Sequence, residues 1–401
     1  MMETMMKVRK QRLERGFSAM SEQNVDMWIA AGRDLMHKGE PMLSYLLTFA
    51  MSGPVALILT KDGSAFAINS PMESEELESM GIFTEVIVNA EGYEGIKSIV
   101  AERVLRYAPK RIALNFSEKD VTSDGLSFTL HGILTEAFSR GGFKGEILSS
   151  QNLMKVLRAN RSREEIELIR TAVQESMKIY EEARPKIKLG MSGMDIQRLF
   201  QGIADRKGYD YSWPKYGNPF DSIGTRSSYL CKRPPEDVFI ERGDVVNVDF
   251  GIIVKGASSD NQRTFYALRA GETEPPEEVT RAFETIGEVN QVLASHMKAG
   301  VKSGDILRYA NEVFTKRGYP ERAGGFGHEI GFYAHDGVLS PGTSRCEPEI
   351  DATFLEGMTF TLEPAILTGF GRVCREEVVA VGKDGGEILS TLQEKIWLIR
   401  E

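Results

Sequence analysis

The sequence predicts two domains, an α/β domain at the N-terminus and then an α+β domain built from two duplicated halves. The chain has 401 residues, which is more than one ordinary core accommodates. Its first part alternates strand-like and helix-like segments. Its second part repeats a pattern of glycines and acids. We expect the domains to comprise residues 1–155 and 156–401.

Composition excludes several classes of protein. Hydrophobic residues make up 41% and charged residues 27%, which is typical of globular proteins. No apolar run approaches the roughly 20 residues that span a bilayer, and the basic segment 1–17 lacks the apolar part of a signal peptide. A net charge of −9 argues against nucleic-acid and membrane partners. Three widely spaced cysteines (Cys231, Cys346 and Cys374) fit a reducing cytoplasm, where we expect the protein.

The first domain contains ordinary strand and helix signals. Residues 54–60 and 64–69 read as strands joined by a tight turn at Lys61-Asp62-Gly63. Residues 93–107 have helical periodicity, and 111–115 read as the next strand. A long helix then opens the second domain, with Ser162 as its N-cap and Glu165 completing a capping box. No segment of the first domain has a catalytic pattern.

The second domain repeats itself after about 110 residues, far too long for a solenoid unit. In the longest copied segment, an acid ends an alternating strand at the same distance from a glycine. We therefore expect two homologous half-domains, related by a pseudo-two-fold axis and meeting at a shared sheet. The repeated pairs are 190–196 with 300–306, Gly208-Tyr209 with Gly318-Tyr319, and 241–249 with 355–363.

Each half supplies two carboxylates from a pair of strands. Alternation places Asn247 and Asp249 on one face of the first strand, and Glu363 ends the equivalent strand. The second acids, Asp260 and Glu376, follow short turns and lead into further strands. Four carboxylates in one cavity raise one another's pKa strongly, and bound divalent cations would relieve this. An acid at a strand end is usually a turn or capping residue, but its duplication favours metal binding.

A single imidazole completes a typical site with two metals, and His328 in the glycine-rich segment 325–331 is the natural candidate. An oxygen-rich set with one imidazole favours two divalent ions of Mn, Co, Fe or Zn. Such ions, about 3.5–4 Å apart, hold a bridging hydroxide and polarise a scissile carbonyl. The predicted ligands are Asp249, Asp260, His328, Glu363 and Glu376.

These segments resemble the pita-bread metallopeptidases: methionine aminopeptidase, aminopeptidase P, prolidase and creatinase. The resemblance implies a creatinase-like α/β N-terminal domain, a pita-bread catalytic domain and a homodimer. The similar segments are 43–49 in the first domain, 158–172 in the opening helix, 249–265 at the first ligand pair, 327–335 in the histidine block, and 362–364 and 375–377 at the glutamates.

The resemblance also implies a role for each site residue. Glu363 is similar to the family's general acid/base. His335 matches a second histidine that hydrogen-bonds the substrate carbonyl or the oxyanion, although a core histidine is the alternative. Asp249 would bind one metal, His328 and Glu363 the other, and Asp260 and Glu376 would bridge both.

The chain departs from the family pattern near the substrate. The segment 220–234 lacks the histidine that such peptidases commonly carry, and ungapped counting places Lys232 in its position. Arg226, Tyr229 or Lys232 could bind substrate there, or the segment could be a solvated basic loop. Gln262 stands where the family usually has threonine. Cys374 stands where prolidase-like members have arginine, with Arg375 one place later.

An aromatic stretch at 209–216 could line a substrate pocket or pack between the half-domains. The leading interpretation is an Xaa-Pro dipeptidase or aminopeptidase acting on small peptides. The alternative is a hydrolase or lyase of a small non-peptide molecule, like creatinase, ectoine hydrolase or dimethylsulfoniopropionate lyase. A third possibility, a non-catalytic interaction protein, is disfavoured because all five ligands are retained.

Overall fold

The computed structural model describes residues 2–33, 40–47, 51, 53–227, 236–343 and 352–400. The chain divides into two compact units, Met1–Glu164 and Glu165–Glu401. Within the described ranges, no helix combines the length and apolarity that crossing a membrane requires.

The first unit is an α/β domain, as predicted. Its strands are β1 (Met27–Gly32), β2 (Val55–Thr60), β3 (Ala65–Asn69), β4 (Glu85–Val88), β5 (Arg111–Leu114) and β6 (Glu146–Ser149). Its helices are α1 (Met2–Glu22), α2 (Pro41–Leu47), α3 (Ser74–Ser79), α4 (Gly92–Tyr107), α5 (Phe128–Arg140) and α6 (Gln151–Arg158). One mixed sheet has the order β4-β3-β2-β1-β5-β6. The expected hairpin is confirmed as the antiparallel pair β2 and β3.

The core of this unit forms where α4 and α5 bury their apolar faces on the sheet. Val100 of α4 and Leu134 of α5 pack in one cluster with Ile58, Ile68 and Ile112 of the strands. All five side chains are fully buried. Removal of apolar side chains such as these from water is the main favourable contribution to the stability of a folded domain.

The second unit opens within a helix that starts at Arg163, directly after the predicted N-cap Ser162. Its helices are α7 (Arg163–Ala183), α8 (Gly193–Lys207), α9 (Glu277–His296) and α10 (Leu307–Lys316). The strands of the first half are β7 (Asp210–Tyr211), β8 (Phe220–Ile223), β9 (Val245–Phe250), β10 (Ile252–Val254), β11 (Ala257–Ser258) and β12 (Asn261–Ala267). Those of the second half are β13 (Thr359–Leu362), β14 (Ala365–Thr368), β15 (Gly371–Cys374), β16 (Glu377–Ala380), β17 (Glu387–Ile388) and β18 (Trp397–Ile399).

The duplication predicted from sequence is present in the backbone hydrogen bonds. The amide of Gly190 donates to Ile240 O at 2.9 Å, and the amide of Gly300 donates to Phe354 O at 2.8 Å. Later in each half, the amide of a glycine again donates to the end of an antiparallel partner strand. These later pairs are Gly243 to Ala267 O at 2.7 Å and Gly357 to Val381 O at 2.9 Å. Equivalent residues therefore occupy equivalent positions in two half-domains.

The prediction of one shared sheet is wrong for the described residues. Strands β8, β9, β12 and β18 form one sheet, whereas β13, β16 and β17 form another. A backbone bond from Glu376 N, just before β16, to Gln262 O of β12, 3.2 Å long, links the two sheets. Beside it, side chains make the contacts: Asn261 Nδ2 and Arg263 Nη1 both donate to Glu376 O, at 3.2 and 2.8 Å. In a continuous sheet, further backbone hydrogen bonds would join β12 and β16 here. The side chains of Asn261 and Arg263 take their place.

Helices cover one face of the β9 strand and leave the other face for the site. Tyr180 of α7, Phe200 of α8 and Phe250 of β9 form a ring cluster, with centroids 5.0–6.1 Å apart. The Tyr180 hydroxyl lies within hydrogen-bond distance of Val248 O and Asn261 O, at 2.9 and 2.7 Å. It therefore ties β9 to β12 from the covered face.

Candidate metal centre

A buried cluster of acids surrounds the ring of His328. His328 Nε2 lies 3.5 Å from Glu363 Oε1 and 3.6 Å from Asp260 Oδ2. One potential ligand atom from each of Asp260, His328 and Glu376 lies within 4.8 Å of the others. Because the opposite ring nitrogen, Nδ1, faces Glu329 O at 3.2 Å, Nδ1 carries the hydrogen and Nε2 offers its lone pair to the acids.

A close backbone approach brings His328 and Glu363 together. The Thr361 amide donates to His328 O at 2.8 Å, and the Glu363 amide donates to Phe326 O at 2.7 Å. Between them, Gly327 has φ +151°, and a Cβ there would stand 2.1 Å from Thr361 O. Only glycine fits this position. Gly327 therefore allows the backbone next to His328 to approach β13 closely, as the sequence predicted.

The remaining acids come from the equivalent strand pairs. Asp249 lies on β9 in register with Gln262 of β12, on the face away from the helices. Asp260 immediately precedes β12, and Glu376 immediately precedes β16. Both are almost fully buried, and Asp249 also contacts Asp260 through its carboxylate. The structure therefore brings all five predicted ligands into one cluster.

Burial and mutual repulsion raise the pKa of these carboxyl groups. The pKa of Asp260 lies well above its ordinary value because of burial and then the charges of Glu376, Asp249 and Glu363. The pKa of Glu376 is raised by the same two causes. Burial also raises the pKa of Glu363 and lowers that of His328. A cluster of this kind is unfavourable as bare anions and becomes favourable around cations.

The cluster fits divalent metal ions on two observations. Oε2 of Glu376 is buried and has no hydrogen-bond donor among the described residues. The donor set, four carboxylates and one imidazole nitrogen, has the hard and borderline character that Mn²⁺, Co²⁺, Fe²⁺ and Zn²⁺ accept.

A polar network that the sequence did not reveal lies beside Glu363. Gln262 Nε2 donates to Glu363 Oε2 at 3.0 Å. Arg372 Nη1 donates to Gln262 Oε1 at 2.6 Å and to Asn247 Oδ1 at 2.8 Å. The Arg372 charge opposes the effect of burial on the pKa of Glu363. Gln262 is a departure from the family pattern that the sequence shows, whereas no local signal in the sequence indicates Arg372.

Two other departures from the family pattern lie near Glu376. Cys374 carries no charge, and the guanidinium of Arg375 lies away from the acids. Cys374 is fully buried, with its thiol 3.6 Å from the backbone oxygen of Glu363, and burial raises its pKa. The Arg375 guanidinium lies over the ring of Phe283 at 4.6 Å. Arg375 therefore packs against α9, and Arg372 is the arginine that contacts the site.

Two candidate substrate contacts lie at the edge of the cluster. The ring of His335 is exposed, and its centroid lies 4.0 Å from that of His328. On the other side, Phe220 is in register with Asp249 across β8 and β9. Trp213 stacks on Phe220, with centroids 5.8 Å apart and an interplanar angle of 8°. Both aromatic rings are partly exposed, so they offer an apolar surface beside a ligand.

The other predicted substrate residues are placed elsewhere or lie outside the described residues. Arg226 donates to Asp244 at 2.5 Å and to Glu241 at 3.0 Å. Among the described residues, no hydrogen bond or ion pair joins its guanidinium to the five ligands. Tyr229 and Lys232 fall in 228–235, outside the described ranges. Of the aromatic stretch, Tyr209 and Tyr211 bond to acids of α7 and α8.

One family profile matches the greater part of the second unit. It is described as metallopeptidase family M24 and covers residues 167–383. This range contains all five residues of the acid cluster and both strand pairs that carry them.

Known proteins of similar sequence include an Xaa-Pro dipeptidase from Pyrococcus furiosus, 26% identical over 69% of this chain and 76% of its own length. A methionine aminopeptidase from Aquifex aeolicus is 25% identical over 52% of this chain and 82% of its own. Among solved structures, an Xaa-Pro dipeptidase from Bacillus anthracis superposes with a TM-score of 0.77 at 22% identity. That superposition covers 98% of this chain and all of the other. The structural likeness confirms the predicted pita-bread architecture.

Proposed function

Because this chain belongs to metallopeptidase family M24, we propose that it is an Xaa-Pro dipeptidase or aminopeptidase with two divalent metal ions. Members of this family use divalent metals, and this chain presents an acidic site with one histidine. The observation that carries the proposal is the cluster of Asp249, Asp260, His328, Glu363 and Glu376. The similarity to Xaa-Pro dipeptidases in sequence and in structure supports the choice of an Xaa-Pro substrate.

The chain's own residues have separable roles in this proposal. The metal ions, when bound, supply Lewis-acid activation of water and of the scissile carbonyl. Glu363 accepts a proton from the attacking water and passes it to the leaving amine, because its Oε1 faces the centre of the cluster while Oε2 is held by Gln262. His335, next to His328 and exposed, donates to the substrate carbonyl oxygen.

An apolar wall beside the acids suits a proline or another apolar side chain. Trp213 and Phe220 form a stacked pair, and Phe220 is the strand neighbour of Asp249. A ring packed on this pair would lie next to the ligands. Such burial favours binding in proportion to the apolar area removed from water.

Hydrolysis of a dipeptide panel tests the proposal. The protein loaded with Mn²⁺ or Co²⁺ is expected to release proline from Xaa-Pro dipeptides. Glu363→Gln is expected to reduce kcat by a factor of about 10²–10⁴, which is the usual contribution of a positioned acid/base. Glu356→Gln, exposed in the turn before β13, is the matched control and should retain full activity. Absence of turnover across the panel with metal bound would contradict the peptidase proposal.

A small non-peptide substrate is the second candidate function, favoured by the histidine-free segment 220–234. Here the same ligand cluster, with its metal ions, would support hydrolysis or elimination in a compact charged molecule. Turnover of creatine, ectoine or dimethylsulfoniopropionate by metal-loaded protein that leaves every dipeptide intact would select this candidate.

We propose a homodimer, on the family resemblance, and a cytoplasmic location, on the cysteine content. Sedimentation equilibrium at micromolar concentration tests the first, and a monomer would refute it. Fractionation of cells from the source organism tests the second.

A further inference from the structure

We propose that Gln262 and Arg372 act together as positioning residues for Glu363, so that Arg372 fixes the Gln262 amide and the amide orients the carboxylate. This inference rests on the proposed function, since it assigns a role around the same Glu363. It goes beyond that function because neither residue is a metal ligand or contacts the reacting atoms.

The orientation of the Gln262 amide follows from its partners. A guanidinium has only N–H donors, so the atom of Gln262 that faces Arg372 at 2.6 Å is the amide oxygen. The amide nitrogen must then point the other way, and it donates to Glu363 Oε2 at 3.0 Å. Without Arg372, the amide could turn and present its oxygen to the carboxylate, which would repel it.

Asn247 completes the support for Arg372. Its Oδ1 accepts from the same guanidinium nitrogen at 2.8 Å. Its Nδ2 lies 3.3 Å from both Arg263 O and Cys374 O, so this amide also has one orientation that satisfies both ends. Asn247 lies on β9, and it therefore holds the Arg372 guanidinium next to Gln262 of β12.

The consequence for Glu363 is that its two oxygens have different tasks. Oε2 is occupied by Gln262, and Oε1 lies 3.5 Å from His328 Nε2, at the centre of the cluster. A carboxylate held by one oxygen in this way presents the other as a ligand in a defined direction. Partners that orient a metal ligand in this manner commonly affect metal affinity or activity by about 10–100-fold.

The arginine that contacts the site is Arg372, which reaches Gln262 at 2.6 Å. Cys374, two residues later, is buried and neutral, so Arg372 supplies the positive charge next to the Gln262 amide.

A double-mutant cycle tests this proposal with two readouts. Gln262→Met and Arg372→Met keep the length of each side chain and remove its polar contacts. Each is expected to weaken Mn²⁺ binding, measured by calorimetric titration of Mn²⁺ alone, by about 10–100-fold. Each should lower kcat by a similar factor with KM changed less than about twofold. The double variant should be no worse than either single variant, because the residues act in series.

Two further variants make the outcome decisive. Arg372→Lys retains a donor to the amide oxygen and should recover most of the Mn²⁺ affinity. Arg281→Met, which removes an exposed arginine of α9, should leave affinity and kcat unchanged. Additive effects, or a change confined to KM, would overturn the proposal; the latter would make Arg372 a substrate-binding residue. Since Mn²⁺ affinity needs no substrate, this arm stands even if Xaa-Pro dipeptides prove not to be substrates.

Discussion

His328 and Glu363 lie on neighbouring backbone segments, with Nε2 of the imidazole 3.5 Å from Oε1 of the carboxylate. The other ring nitrogen faces a backbone carbonyl, so the ring has one tautomer and one direction. This pair joins the histidine of one segment to the acid of the next strand, and it is the natural first target for mutation.

His328→Ala is expected to reduce Mn²⁺ affinity by more than about 100-fold, because loss of a ligand should exceed the loss of an orienting partner. Calorimetric titration with Mn²⁺ measures this. His296→Ala is the control, since His296 stacks on Tyr309 and bonds to Val292 O outside the cluster. Equal affinity in the two variants would exclude His328 as a ligand.

Asp260→Asn should have opposite effects on the metal-free and metal-loaded protein. Burial and three neighbouring acids make the charge of Asp260 unfavourable without cations, so its removal should raise the Tm of the metal-free protein. The same change removes a ligand, so added Mn²⁺ should no longer raise the Tm. Differential scanning calorimetry at pH 8 with and without Mn²⁺ measures both. Asp305→Asn, at an exposed acid, should alter neither; a lowered metal-free Tm in Asp260→Asn would count against the prediction.

Arg263 and Glu377 form a buried ion pair at 3.1 Å that joins the two half-domains. Arg263→Met leaves a buried carboxylate without its cation and also removes the bonds to Gln262 O and Glu376 O, so we expect a loss of about 3–5 kcal/mol in the free energy of unfolding. Urea denaturation of the metal-free protein measures it. The half-exposed pair of Arg170 and Glu387 is the control, and Arg170→Met should cost less than about 1 kcal/mol. Similar losses in both variants would show that burial does not set the cost.

Glu40 should make the first unit less stable as pH rises from about 4.5 to about 7. Burial raises its pKa from 4.5 to about 7, so the native state keeps a proton that the unfolded state loses in this window. The lost stability is at most about 3 kcal/mol. Glu40→Gln should flatten this dependence, whereas Glu14→Gln, at an exposed position, should retain it. Hydrogen exchange at the amides of β1 and β5 across pH 5–8 reports on this unit; an unchanged slope in Glu40→Gln would refute the assignment.

The repeat in the sequence by itself predicts much of this architecture. The spacing of glycines and acids predicted two half-domains, and strand alternation predicted that Asn247 and Asp249 share a face. Both are local properties, because a strand's period and a turn's glycine follow from backbone sterics alone. The same reasoning marked Asp260 and Glu376 at the starts of β12 and β16.

Tertiary structure alone decided how the halves meet and what surrounds the acids. The shared sheet was a wrong prediction, since side chains of Asn261 and Arg263 take the place of further backbone pairing at the seam. Arg226 bonds to Asp244, whereas Arg372 reaches Gln262 and Asn247 because the hairpin of β14 and β15 lies along β9. The period of a strand sequence predicts the face of the sheet on which a side chain lies. The partner that a long, flexible side chain contacts depends on the packing of segments that are far apart in the chain.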